Sequence, residues 1–354
     1  MYRPASSGWT RFGLAATVCL SGAQLAPPRT PHVTRSVARV QSSVDSVLRT
    51  LGLDEKEIAA AANGTAVAKL LPAPLDRDVV VLAAVAIRST PAAYLAHALE
   101  PGRLLGEGKQ RVGLIGDPAT DADVQDAAFD ASEYRDLRKC RPGDCNFKLP
   151  ASEMTRFVDG VDWSLPGAKG QADAMLRRYL LRLVGEYRAR GNDALPSYTE
   201  NGGVRAADAF ATLLAEPDPL YDYAPGLAQY LADFPANRPA DTRDIFYWSI
   251  EHQPHLRPTL AVNHLVAYAP VTGAAVVARK QLYATHYFEA ALEVLAVVPA
   301  SDTTTSYLVT VRRFRFDNLP RGLFNIRGRV RRELANEARA DLARERTEAE
   351  SAAR

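Results

Sequence analysis

The sequence predicts an α+β protein: an antiparallel sheet with a long C-terminal helix and a helical insertion. Three observations predict it. Between Asp244 and Phe316, runs rich in β-branched and aromatic residues follow one another with short links, which favours antiparallel pairing. Leu319, Leu323, Ile326, Val330 and Leu334 then recur on one helical face. Between Pro150 and Pro235 the pattern is helical.

The N-terminus is read as a signal peptide over residues 1–23. Arg3 and Arg11 precede an apolar run from Phe12 to Leu20, too short to span a bilayer, which takes about 20 apolar residues. Ser21-Gly22-Ala23 fits a small-x-small cleavage site. Residues 24–32 form a Pro-rich linker, and Pro27, Pro28 and Pro31 oppose a continuing helix. Export to the periplasm or the outside is the expected location. One α+β domain over 33–334 follows, with 150–235 as a helical insertion or lid and 335–354 as a charged helical tail.

Inside that domain, Val33, Val37, Val40, Val44, Leu48 and Leu51 share a helical face. Asp54 to Ala62 is a second short helix stopped by Asn63-Gly64. Ala66 to Leu71 reads as a strand, and Val79 to Arg88 as a buried one. Thr90-Pro91 starts a helix, because threonine caps and proline suits the first helical position. Arg111 to Ile115 and the stretch before Cys140 are candidate strands. Ala172 to Arg190 is a helix ended by Gly191-Asn192, and shorter helices follow near 206–214 and 225–232. Strands are expected at Ile245 to Glu251, Thr259 to Tyr268, Ala275 to Val298 and Ser306 to Phe316. The third is long enough to require a bulge or bend.

Composition narrows the function classes. The chain has 354 residues, 47% hydrophobic and 24% charged, with a net charge of +2, so it has no overall electrostatic claim on nucleic acid. Of three cysteines, Cys19 leaves with the signal peptide. Cys140 and Cys145 flank Arg-Pro-Gly-Asp, whose Pro-Gly turn brings them together, and in an exported protein they read as a structural disulfide. A zinc half-site lacks a second pair of matching spacing, and a redox pair usually has two intervening residues. His252 and His255 are separated by Gln253-Pro254, which opposes the helix that would align them on a metal. No nucleophile elbow, phosphate-cradling loop or dinucleotide fingerprint is present, so no cofactor is implied.

Candidate site residues come from the alternation of side chains along strands. The even positions from Val276 to Leu292 are apolar except for Lys280 and His286, and Val262, His264, Val266 and Tyr268 repeat the theme with His264 as the exception. Ionisable groups on apolar faces are costly unless paired, and an apolar pocket with a few polar groups is the usual form of a ligand site. The competing reading is structural pairing of either histidine with Glu251 or Asp244. Arg312, Arg313 and Arg315 open a basic stripe that would suit anionic lipid headgroups, or else a solvated strand face.

Val79 to Ile87, Thr90-Pro91-Ala92-Ala93-Tyr94-Leu95 and the amphipathic helix after Leu319 together resemble the helix-grip fold of START-like ligand-binding proteins. The resemblance implies a curved sheet closed by the C-terminal helix over an apolar cavity that takes lipids or other apolar small molecules. The leading expectation is therefore an exported, non-catalytic protein that binds a small apolar or amphipathic ligand between sheet and C-terminal helix. Lys280, His286, His264 and Glu251 would orient the ligand's polar end. An envelope hydrolase or isomerase with a histidine base, and an interaction protein docking partners on its helical middle, are the alternatives.

Overall fold

A computed structural model describes residues 44–100, 103, 112–199, 203–252, 256–270, 273–300, 304–317 and 326–352. The expected signal peptide, the linker, Cys19, Val33 to Val40, His255 and Leu319 to Leu323 lie outside them.

The fold is α+β and is built on one eight-stranded antiparallel sheet. Its strands are β1 (Val67–Leu71), β2 (Asp78–Ile87), β3 (Val112–Ile115), β6 (Thr242–Glu251), β7 (Thr259–Tyr268), β8 (Ala275–Ala284), β9 (Phe288–Pro299) and β10 (Ser306–Phe316), in the order β1-β2-β10-β9-β8-β7-β6-β3. β4 (Ser197–Tyr198) and β5 (Val204–Arg205) form a separate small ribbon. The helices are α1 (Val44–Thr50), α2 (Glu55–Ala62), α3 (Pro91–Ala98), α4 (Glu133–Leu137), α5 (Ala151–Gly160), α6 (Ala168–Arg190), α7 (Ala206–Ala215), α8 (Leu227–Asp233) and α9 (Ile326–Ala352).

Local chemistry sets several boundaries. The Asp54 carboxylate accepts from the Glu57 amide while the Glu57 carboxylate accepts from the Asp54 amide, a capping box that starts α2. Thr90 Oγ1 accepts from the Ala93 amide, and Pro91 holds the first position of α3. α6 stops at Gly191, whose φ is 58°. A Cβ there would lie 1.6 Å from the Phe234 carbonyl oxygen, so only glycine fits. The stretch before Cys140 forms α4 and not a strand. The Glu133 carboxylate accepts from the Asp130 amide and favours the helical turn.

Two cores lie on opposite faces of the sheet. The alternation along β2 is the simplest witness: Val80, Leu82 and Ala84 enter one core, and Val79, Val81, Ala83, Val85 and Ile87 the other. The first core is the larger and packs the sheet against α1, α2 and α5 to α8. The 150–235 segment contributes much of the helical layer packed in this core. The second core packs α3 and α9 on the other face, with α9 lying chiefly along β1 and β2. Beyond Leu334, where the periodic face was expected to fade into a solvated tail, Ala335, Ala338, Leu342 and Ala349 remain buried. Small residues let the helix approach the Val- and Ala-rich β2 closely, so its apolar face is continued by alanine.

The expected single strand from Ala275 to Val298 is a hairpin of β8 and β9, turned at Thr285, His286 and Tyr287. Tyr287 has φ 63°. A register shift between Val262 and Asn263 against β8 lets Leu282 and Tyr283 both enter the first core.

Candidate functional site

On the α9 side of the sheet, a ladder of alternating charges crosses three adjacent strands. Arg312 of β10 is the register partner of Glu293 of β9, and Glu293 is the partner of Arg279 of β8. Arg312 Nε lies 2.8 Å from Glu293 Oε1, and Arg279 Nη2 lies 2.8 Å from Glu293 Oε2. Asp341 of α9 joins one end, 2.7 Å from Arg312 Nη1. Glu251 of β6 joins the other more loosely, 3.6 Å from Arg279 Nη1. Burial alone would raise the Glu293 carboxyl, but Arg312 and Arg279 overcome it and hold it down at about 2.

Beyond Arg279 the ladder opens into a shallow cleft of about 20 Å³ that is continuous with solvent. Phe288, Phe314, Ala291 and Leu292 supply its apolar lining, and Glu251, Asn263, Arg279, Gln281 and Glu293 its polar groups. Asn263 is the register partner of Gln281, so the two amides stand side by side. The Arg279 side chain retains 32% exposure. Of the four residues singled out in the sequence, only Glu251 lines this cleft.

Lys280 and His264 lie on the opposite face, in the larger core, and they are cross-strand partners. Both are fully buried. Lys280 Nζ donates to Tyr187 Oη at 3.1 Å and to Asn192 Oδ1, and lies over the rings of Phe210 at 3.8 Å and Tyr187 at 4.8 Å. Burial pulls its ammonium well below the ordinary lysine range. Tyr187 Oη is 3.3 Å from His264 Nδ1, and His264 Nε2 is 2.9 Å from Asp244 Oδ1. Tyr230 donates to both Asp244 oxygens, and Arg238 Nε lies 3.2 Å from Oδ2. Burial lowers the His264 pKa against the opposing pull of Asp244, favouring a neutral ring that accepts from Tyr187 and donates to Asp244. The network resembles an acid–base relay in composition. Its inner members, however, are sealed by Phe234 stacked on Tyr187 and Phe246 stacked on His264.

His286 sits apart, in the β8–β9 turn. Its Nε2 lies 2.8 Å from Glu133 Oε1 and its Nδ1 lies 2.9 Å from the Asn146 carbonyl oxygen. It ties α4 and the segment after the Cys140–Cys145 disulfide to the sheet. His286 therefore does not meet Lys280 and His264, which share Tyr187, and none of the three faces α9.

The arginines of β10 are likewise inward. Arg313 reaches Asp218 at 2.7 Å, and Arg315 makes two 2.8 Å bonds to Asp78, its register partner. Both arginines are buried, and Arg312 is taken up by the ladder, so the three form no exposed stripe facing lipid. An arginine run looks solvated in the sequence when the carboxylates that pair with it lie about 95 and 237 residues away. Arg279 and Gln281 are not among the residues that the sequence singles out. The signal available was Glu293 at the same parity on the neighbouring strand.

Among the described residues, no group of three or more His, Cys, Asp or Glu side chains could hold a metal ion, and no helix is long and apolar enough to cross a membrane. Compared with protein-family models, with curated proteins and with solved structures, the chain matches none.

Proposed function

We propose that this is an exported, non-catalytic protein that binds a small neutral amphipathic molecule on the α9 side of the sheet. The observation that carries this reading is the grouping around the shallow cleft beside the charge ladder, where an apolar tail would lie over Phe288, Phe314 and Ala291 and a polar head would meet Arg279, Gln281, Asn263 and Glu251. A neutral head is favoured because the ladder's two arginines already face Asp341, Glu293 and Glu251, leaving no surplus positive charge for an anion. Donors from Arg279 and acceptors from Glu251 suit a hydroxyl or amide. The START-like resemblance places its ligand on this same face of the sheet, between strands and C-terminal helix. The disulfide is in keeping with export.

The test is native mass spectrometry of protein purified without detergent, followed by titration with a monoacylglycerol. Ala291→Trp fills the half-buried floor of the cleft without opening a cavity elsewhere. A releasable adduct or saturable binding in the parent protein, lost in Ala291→Trp, supports the proposal. No adduct and no saturable binding, or binding indifferent to Ala291→Trp, overturns it.

A further inference from the structure

A second concavity lies on the helical layer, away from the charge ladder. It is an open groove of about 280 Å³, lined by Ala131, Tyr134, Arg135, Arg138, Trp163, Leu165, Pro166, Ala168 and Lys169. Its composition is unusual for a merely solvated surface, combining three cations with two aromatic rings and apolar side chains. Leu165 is 49% exposed, one of the few large apolar side chains left to solvent among the described residues.

Two of the cations are held in place. The Arg138 guanidinium lies 5.4 Å from the centre of the Trp163 ring and donates to the Trp163 carbonyl oxygen at 2.8 Å. Lys169 lies 5.3 Å from the centre of the Tyr134 ring, and the Tyr134 hydroxyl is anchored on Asp173 by two 2.9 Å bonds. Arg135, one helical turn before Arg138, stands exposed and lines the same groove. The nearby carboxylates are engaged elsewhere: Asp162 with Ser164, Asp173 with Tyr134 and the Phe129 amide, and Asp136 with Arg257. Three cations thus face a groove without an ion-pair partner among the described residues, and a positive, part-apolar groove is complementary to an occupant that is negative and part-apolar.

We propose that this groove docks an acidic peptide segment of a partner protein, with Asp or Glu side chains on Arg135, Arg138 and Lys169 and one large apolar side chain against Trp163, Leu165 and Pro166. A peptide is favoured over a small molecule because the groove is open. Small-ligand sites enclose most of their ligand, whereas a chain segment gathers affinity along its length. This proposal is independent of the ligand cleft on the α9 face.

The experiment is fluorescence polarisation of the disulfide-bonded protein with a labelled pool of dodecapeptides, each carrying four Asp or Glu around a central Leu or Phe. A matched pool with Lys in place of the acids is the control. Binding to the acidic pool alone is expected, weakening as salt is raised, and falling roughly tenfold or more in the Arg135→Glu/Arg138→Glu/Lys169→Glu protein. Those three side chains are exposed, and an unchanged melting temperature shows that the variant folds. Leu165→Ser, which alters no charge, is expected to weaken binding several-fold and so separates docking from simple attraction. No binding of the acidic pool, equal binding of the Lys pool, or indifference to both variants overturns the proposal. So does full displacement by benzoate, which assigns the groove to small carboxylates.

Discussion

Lys280→Met isolates the energetic oddity at the centre of the larger core. The Lys280 ammonium is fully buried against Tyr187, Asn192 and Phe210, and burial alone accounts for its lowered pKa, with no carboxylate to offset it. The folded state therefore binds its proton less tightly than the unfolded chain, whose lysines titrate near 10.5. Between the lowered folded pKa and 10.5, the unfolded chain carries the extra proton, so stability rises with pH, by at most about 1.4 kcal/mol per unit. Met has similar length and no charge, so Lys280→Met loses that slope. It also leaves Asn192 Oδ1 and Tyr187 Oη without their donor, a cost of about 1–3 kcal/mol. At pH 10 the variant is expected to be the less stable protein by that amount. As pH is lowered towards 7 the gap closes and reverses. The assay is urea unfolding at pH 7, 8, 9 and 10 for both proteins, with the difference in free energy plotted against pH. A difference that stays constant across the series would refute the reasoning, since it would mean that Lys280 has an ordinary pKa in the fold.

Three further outcomes follow from the ion pairs and the disulfide. Glu293 titrates at about 2 when folded against 4.5 ordinarily, so its contribution is complete above pH 4.5 and is lost as pH falls towards 2. Glu293→Gln should remove about 3 kcal/mol at pH 7 and flatten the acid limb of the stability profile, read by urea midpoints from pH 7 to 3. Arg313→Leu or Asp218→Leu alone strands a buried charge and should cost about 3–5 kcal/mol, whereas the double substitution should recover most of it in thermal melts. Replacing Cys140 and Cys145 with serine reopens a short loop and should cost about 2 kcal/mol by chemical denaturation, leaving the fold intact.

The elements were largely legible because each is written in local pattern: Thr90-Pro91 for the start of α3, Gly191 for the end of α6, alternation for β6 to β10. The disulfide was legible because both cysteines sit on one turn. The α9 register was only half legible, since alanine carries no periodic signal strong enough to extend a face past Leu334, although Ala338 and Leu342 are fully buried there. The candidate site was less legible. Parity correctly grouped Lys280 with His264, and Asp244 was correctly weighed as a histidine partner. Parity cannot say which face of a sheet receives the long helix and which receives the helical layer, and both faces of β2 are equally apolar.

By itself, then, the sequence determined the class of fold, the order of its elements and the pairing of nearest neighbours, because those depend on dihedral preference and on spacings of two to four residues. Only the tertiary structure decided what each charge meets. Arg315 finds Asp78, Arg312 finds Asp341 of α9, and Lys280 finds Asn192 at the end of α6, across separations that no local pattern encodes. A charged side chain's role depends on the dielectric and the partner around it. Both are properties of the packed chain, which is why the same arginine reads as surface in the sequence and as core in the fold.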